Sequence, residues 1–342
     1  MERLTDRYKF WNSAATGCLL MLFSCFSGLF RRGFIRVSAV AVCLHMLFPG
    51  CSTLISDEFP AYDTQPVLNS ILVAGDSVRA HVSFAEKIDT TYLEGTDAAE
   101  VYYSSDQSDL LHLEHLDSGL YYHPHVTEPG EIVVLSAELP GHGEVRAMDT
   151  IPFLVPVEIV DHTNRARYNE DGNYMAGITL RFTDDPGTTD FYELVLRNRE
   201  EDQLWIKPAF NNNLDILLNE GIDPYSTSSL VFSDQLFEDA IVEMWLEFSA
   251  GGSGKHCYGA DSCFEVFDAH TLIAELRHVS AAYYRFKKQF YLYEKARNTE
   301  FIEGTAVTIS NYSNVENGLG IVASYASSVD SLFVPKDSVL TD

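Results

Sequence analysis

The sequence predicts a mostly β protein, in which an immunoglobulin-like β-sandwich is followed by a second β-rich domain with one amphipathic helix. Three observations lead to this prediction. Short runs of alternating apolar and polar residues recur along the chain, turn residues separate them, and one segment near residues 280–297 has a helical period. With 342 residues, the chain also exceeds the usual size of a single domain, which favours two folded units.

Residues 67–152 form the predicted sandwich. Val78, Ala80 and Val82 alternate with polar residues, which is the period of a strand with one buried face. Further strand-like runs follow at 100–103, 110–116, 120–125, 131–139 and 144–151. Turns rich in glycine and proline separate these short strands, a pattern typical of an immunoglobulin-like sandwich.

Residues 153–342 form the predicted second domain. Pro152 and Pro156 mark a predicted hinge where it begins. Strands are predicted at 175–182, 191–197, 203–206 and 241–248. The second half is therefore also mainly β.

The predicted helix begins after Ser280, which is a favourable N-cap residue. An aromatic stripe then recurs at spacings of three and four residues, formed by Tyr283, Phe286, Phe290 and Tyr293. This stripe predicts a helix packed on a sheet, and a sugar-stacking surface is the alternative.

Cys51 follows a basic stretch and an apolar run, in the order found in a bacterial lipoprotein signal peptide. We expect residues 1–50 to be removed, Cys51 to carry lipid, and residues 51–66 to form a polar tether. A 50-residue leader is long, so translation that begins nearer Arg31 is one alternative. An ordinary buried cysteine is the other.

Cys257 and Cys263 would be the two cysteines of the mature chain that carry no lipid. They are close enough in sequence to close one loop, and an oxidising compartment favours a disulfide between them. A metal site with His256 as a third ligand is the alternative, although it lacks a fourth ligand at zinc-like spacing.

The chain is strongly acidic, with a net charge of −27. Without residues 1–50 it would keep 17 Lys and Arg against 48 Asp and Glu, a net charge of −31. Such a surface repels phosphate backbones, so we expect no nucleic-acid partner. A basic face on a partner protein remains compatible with it, as does acidity that only keeps the protein soluble.

A histidine-rich segment is the best local candidate for chemistry. If residues 117–120 turn a hairpin that pairs Leu116 with Tyr121, four potential metal ligands share one face: His112, Glu114, His123 and His125. A slip of one residue would scatter them, because side chains alternate between faces. Solvent-exposed histidines without a metal are the alternative.

Four sequence segments occur in an order that resembles a known family: 146–152, 232–237, 280–286 and 314–322. The family consists of Bacteroidota lipoproteins that carry a domain of unknown function and are often encoded beside TonB-dependent outer-membrane receptors. Its most specific piece here is an Asn-x-x-Asn-Gly-x-Gly run, formed by Asn314, Asn317, Gly318 and Gly320. This run either presents backbone amides to a ligand or makes a structural turn.

The resemblance implies an outer-membrane location, with the side of the membrane left open, and a TonB-dependent receptor as partner. The sequence has no Gly-x-Ser-x-Gly or His-Glu-x-x-His motif, so we expect neither an enzyme nor a cofactor. The hypothesis is therefore a non-catalytic lipoprotein that serves as an accessory or ligand-binding subunit of such a receptor. A surface adhesive or structural lipoprotein and a metal-dependent hydrolase are the alternatives.

Overall fold

The computed structural model describes residues 64–85, 95–170, 174–185, 187–200, 203–207, 209–211, 229–235, 241–249, 255–257, 263–298 and 311–341. The predicted signal peptide, Cys51 and residues 52–63 of the predicted tether lie outside these ranges. Residues Tyr62–Asp342 cluster as one compact unit. The predicted division into domains at residues 152 and 153 stays a prediction.

The described residues form nineteen strands and one helix. The strands of the first half are β1 (Pro66–Val73), β2 (Ser77–Phe84), β3 (Glu100–Ser105), β4 (Leu111–Asp117), β5 (Leu120–Val126), β6 (Ile132–Leu139), β7 (Gly143–Thr150), β8 (Val157–Tyr168) and β9 (Tyr174–Thr183). The second half contains β10 (Phe191–Glu200), β11 (Gln203–Lys207), β12 (Ala209–Asn211), β13 (Leu230–Ser233), β14 (Ile241–Ser249), β15 (Lys255–Cys257), β16 (Cys263–Phe267), β17 (His270–Val279), helix α1 (Ala281–Asn298), β18 (Leu319–Val334) and β19 (Asp337–Thr341).

The predicted fold class, mostly β with one helix, is confirmed. Each strand predicted in the first half lies within two residues of an observed one, and the alternation in β2 buries Val78, Ala80 and Val82. The N-cap is also confirmed, because Ser280 Oγ accepts a hydrogen bond from the backbone N–H of Tyr283 at 3.2 Å. The aromatic stripe is buried at Tyr283, whereas Phe290 is 40% exposed.

One large sheet runs through the described part of the chain. Its strands follow the order β11-β10-β17-β18-β1-β2-β5-β4-β3-β6-β7, and β13 also pairs with β10. Strand β1 runs parallel to β18, and the other pairs of this sheet are antiparallel. Two smaller sheets have the orders β12-β14-β9-β8 and β15-β16-β19.

The described residues enclose two main hydrophobic cores. The first is built mainly from residues of β1 to β7, such as Leu68 and Leu135, and the second from residues of β8 to β18, such as Phe232 and Leu276. A third, small cluster lies under the start of α1. Strand β18 contributes to all three through Val322, Ala323 and Val334, so one long strand connects the cores.

Among the described residues, no helix is long and apolar enough to cross a membrane.

Candidate functional site

The histidine hairpin has a different register from the predicted one. Ser118 and Gly119 both have positive φ and form a two-residue turn, so Asp117 pairs with Leu120. An irregularity follows at Leu116, and His115 rather than Leu116 pairs with Tyr121. The predicted register is therefore wrong by one residue, because a bulge inserts one extra residue into β4.

This shift separates the four predicted ligands. Glu114 pairs with Tyr122 and so shares a face with His112, while His123 and His125 lie on the opposite face of the hairpin. His112 Nε2 lies 2.8 Å from Glu100 Oε2, and His125 Nε2 lies 3.5 Å from an oxygen of the buried Glu131. His112 and Glu114 therefore do not converge on one metal ion with His123 and His125.

The predicted disulfide keeps a compatible backbone. Antiparallel pairing of β15 with β16 places Cys257 directly opposite Cys263. The Cα atoms of opposite residues in such a pair are about 4.5–5.5 Å apart, which a disulfide can span. The covalent bond itself stays a prediction.

The Asn-x-x-Asn-Gly-x-Gly run makes structural contacts. The side chain of Asn314 bonds to the backbone of Val322 as a neighbouring strand would. Its Nδ2 donates to the carbonyl of Val322 at 2.7 Å, and its Oδ1 accepts from the Val322 N–H at 3.0 Å. Asn317 has φ of +59° and its Nδ2 donates to the Glu144 carbonyl at 3.3 Å. A Cβ on Gly320 would lie 2.1 Å from the Leu68 carbonyl oxygen, so no other residue fits there.

A second resembling segment, 146–152, joins the same region. The backbones of Arg146 and Glu316 form an isolated bridge, and their side chains form an ion pair at 3.2 Å. Further along, Asp149 Oδ2 lies 2.6 Å from Ser324 Oγ, while the backbone N–H of Ser324 donates to Oγ of the N-cap residue Ser280. These segments therefore fasten β7, β18 and the start of α1 together.

Ser324 stands between two acceptors. Its Oγ lies 2.6 Å from Asp149 Oδ2 and 3.0 Å from the carbonyl oxygen of Thr150. One hydroxyl has one proton to donate, so both contacts are satisfied only when Asp149 is itself protonated and donates to Ser324. Burial raises the pKa of Asp149 to about 6, despite the hydrogen bonds from neighbouring serines, which favour the charged form.

Glu193 of β10 lies in a buried network of charges beneath α1. Its Oε1 accepts from Ser229 Oγ at 2.7 Å and lies 3.1 Å from Lys287 Nζ. Its Oε2 accepts from Arg277 Nη1 at 2.7 Å and from Tyr283 OH at 2.6 Å. Burial alone would raise the pKa of Glu193, but Lys287 and the hydrogen bond from Tyr283 outweigh it and hold the pKa at about 2.

Three aspartates meet at the other face of the same strand. Asp184 follows β9, Asp190 precedes β10 and Asp234 follows β13, and pairing of Phe191 with Ser233 brings the last two together. Each offers one carboxylate oxygen, and these oxygens all lie within 4.8 Å of one another. In the part of the chain that the structure describes, this is the one group of three or more acidic, histidine or cysteine side chains with that proximity.

The aspartates are enclosed and held in place. Asp184 is 3% exposed and Asp234 is 7% exposed. Asp184 Oδ1 accepts from Tyr192 OH at 2.5 Å, and Asp234 Oδ2 accepts from the backbone N–H of Asp190 at 2.8 Å. Burial raises the pKa of Asp184 and of Asp234, and the charge of the neighbouring aspartates raises both further.

Sequence reasoning missed this cluster. Asp234 belongs only to a segment that carries the family resemblance, and Asp184 and Asp190 belong to no predicted site. Asp and Glu make up 50 residues of the chain, so acidity alone could not single out three of them. The signal that could have helped is position, because each of the three directly precedes or follows a run of residues that forms a strand.

Comparison with known proteins gives a family and no function. No curated protein matches the chain. A family model described as a domain of unknown function, DUF4249, matches residues 53–331. Since this match covers most of the 342 residues, the chain belongs to the DUF4249 family.

Proposed function

We propose that this protein is a lipid-anchored, non-catalytic accessory subunit of a TonB-dependent outer-membrane receptor in a member of the Bacteroidota. The observation that carries the proposal is the position of Cys51. The family match begins at residue 53, two residues after that cysteine, and β1 begins at Pro66. A chain that matures at Cys51 would therefore keep the whole matched region and hold it on a short polar tether.

The roles of the resembling residues support a non-catalytic protein. Asn314, Asn317 and Gly320 shape the start of β18, and Asp149 fastens β7 to that strand. These contacts position backbone and strands rather than a reactive group. These residues of the resembling segments 146–152 and 314–322 are thus used for the scaffold, as expected of a binding or docking body.

The charge of the mature chain supports docking to a basic partner. A net charge of −31 would speed association with a positively charged face by long-range attraction. It would also keep the body away from anionic lipid headgroups while the anchor holds it at the membrane. The partner surface that we expect is therefore the basic, extramembrane face of a receptor.

Lipid attachment tests the first half of the proposal. A tagged chain would be expressed in its native host with an alkyne-labelled fatty acid, and the lipid would be located by mass spectrometry. We expect label in the wild type and in Cys43→Ser, and none in Cys51→Ser, which would also leave the outer-membrane fraction. Equal labelling of the wild type and Cys51→Ser would contradict the proposed anchor.

Co-purification tests the second half. The outer membrane would be solubilised in mild detergent and the tagged wild type recovered, with a tagged unrelated lipoprotein as control. We expect a TonB-dependent receptor in stoichiometric amount with this protein alone. Recovery of the lipidated protein without a receptor would contradict the accessory role and favour a surface adhesive lipoprotein.

A further inference from the structure

We propose that Asp184, Asp190 and Asp234 form a binding site for a hard divalent cation, with Ca²⁺ as the ion that fits best. Their approach within 4.8 Å is the first observation. Two oxygens that bind one Ca²⁺ at about 2.4 Å are at most about 4.8 Å apart, so the three carboxylates match the first shell of such an ion.

An unsatisfied oxygen is the second and independent observation. Oδ2 of Asp184 is buried and has no hydrogen-bond partner among the described residues, although its residue is 3% exposed. A buried carboxylate oxygen without a donor is strongly disfavoured in a folded protein. The other oxygen of Asp184 already accepts from Tyr192, so the orphaned atom is the one left for an ion.

The charges around the cluster also favour a cation. His278 Nε2 faces Asp190 Oδ1 at 3.1 Å, and its Nδ1 faces the carbonyl oxygen of Phe153 at 2.9 Å. Three carboxylates thus crowd together with the His278 imidazole beside only one of them, and a bound divalent cation would offset the repulsion among the carboxylates.

The donor set selects the class of ion. All three side chains offer carboxylate oxygens, which suit Ca²⁺, Mg²⁺ and Mn²⁺ better than the softer zinc or copper. The turn after β9 and the end of β13 would then be joined through one ion. This proposal does not depend on the proposed receptor partner, because it concerns the folded body alone.

Terbium luminescence tests the site directly, because Tb³⁺ replaces Ca²⁺ and is sensitised by a nearby tyrosine such as Tyr192. The full chain purified in a metal-free buffer would be titrated with Tb³⁺, and Ca²⁺ would then be added as competitor. We expect saturable emission that Ca²⁺ displaces, with a Ca²⁺ dissociation constant on the order of 10⁻⁴–10⁻³ M.

Three variants separate the site from general acidity. Asp184→Asn and Asp190→Asn each remove a ligand charge, and we expect each to weaken Tb³⁺ binding at least tenfold. Asp109→Asn removes an exposed carboxylate elsewhere and should bind as the wild type does. Circular dichroism would show that each variant is folded. Unsaturable emission from folded wild type, or equal binding by Asp109→Asn and Asp184→Asn, would overturn the proposal.

Discussion

Tyr192 and Glu193 are neighbours in β10, so their side chains lie on opposite faces of the sheet. The buried carboxylates on these two faces have opposite surroundings. Glu193 is met by two cationic groups and two hydroxyls, which together reach both of its oxygens. Tyr192 points instead to Asp184, beside two further aspartates and one histidine. The buried carboxylate of Glu193 thus stabilises this fold, because hydrogen-bond donors contact each of its oxygens. The aspartates around Asp184 bring negative charge together without such donors, and such a cluster indicates a ligand site.

Removing the charge of Glu193 should have the largest effect on stability. Glu193→Gln leaves Arg277 and Lys287 buried without their counter-charge, and removing one partner from such a network costs about 3–5 kcal/mol of unfolding free energy. Denaturant unfolding measures this change. The matched control is Glu243→Gln in the exposed pair with Arg181, where a loss of about 1 kcal/mol or less is expected. Equal losses in both variants would contradict the structural role of the network.

The same network predicts a loss of stability in acid. The folded pKa of Glu193 is about 2, below the ordinary value of 4.5, so its contribution is complete above pH 4.5 and disappears as the pH falls towards 2. The shift corresponds to about 3 kcal/mol. We therefore expect the difference in unfolding free energy between wild type and Glu193→Gln to shrink over this range. A difference that stays constant would show that Glu193 acts through packing.

Asp149 lies between the two cases, since hydroxyls but no cation contact it. Its folded pKa of about 6 exceeds the ordinary 3.8, so its contribution is complete below pH 3.8 and is lost as the pH rises through 6. Asp149→Asn imitates the protonated carboxyl and should be more stable than wild type at pH 8 by up to about 3 kcal/mol. At pH 4 the gain should nearly vanish. Asp109→Asn serves as the exposed control, and a pH-independent gain would argue against titration of Asp149.

The smallest effect on stability is expected for the cluster of three aspartates in the absence of divalent ions. Asp184→Asn keeps the acceptor for Tyr192 and removes one of three neighbouring negative charges, so we expect it to stabilise the chelator-treated protein, on the order of 1 kcal/mol. Thermal unfolding in EDTA measures this. Clear destabilisation under these conditions would mean that the aspartates form a structural network like that of Glu193.

Local patterns predicted much of the fold. The alternation in β2, the turn at Ser118-Gly119 and the N-cap at Ser280 all follow from neighbouring residues, and all three are observed. Strand β18 was not predicted, because its serines and alanines lack a clear alternation and its place is set by pairing with the distant β1 and β17. The sequence therefore indicated elements better than it indicated their partners.

The candidate sites depended on such distant pairing. One bulge residue, Leu116, was enough to separate the predicted histidine ligands, and no local signal marks that bulge. Conversely, Asp190 and Asp234 are 44 residues apart in sequence and meet because β10 pairs with β13. A site built from the ends of paired strands becomes visible only when the register is known.

The melting temperature with and without Ca²⁺ tests this account most directly. About 5 mM Ca²⁺ should raise the melting temperature of the wild type by about 2–4 °C and leave Asp184→Asn nearly unchanged, while Glu193→Gln should melt lower but keep the full Ca²⁺ response. That result would show that Asp184, Asp190 and Asp234 bind Ca²⁺ and that the Glu193 network stabilises the fold independently of it. A wild type that does not respond to Ca²⁺, or an Asp184→Asn variant that responds equally, would contradict it.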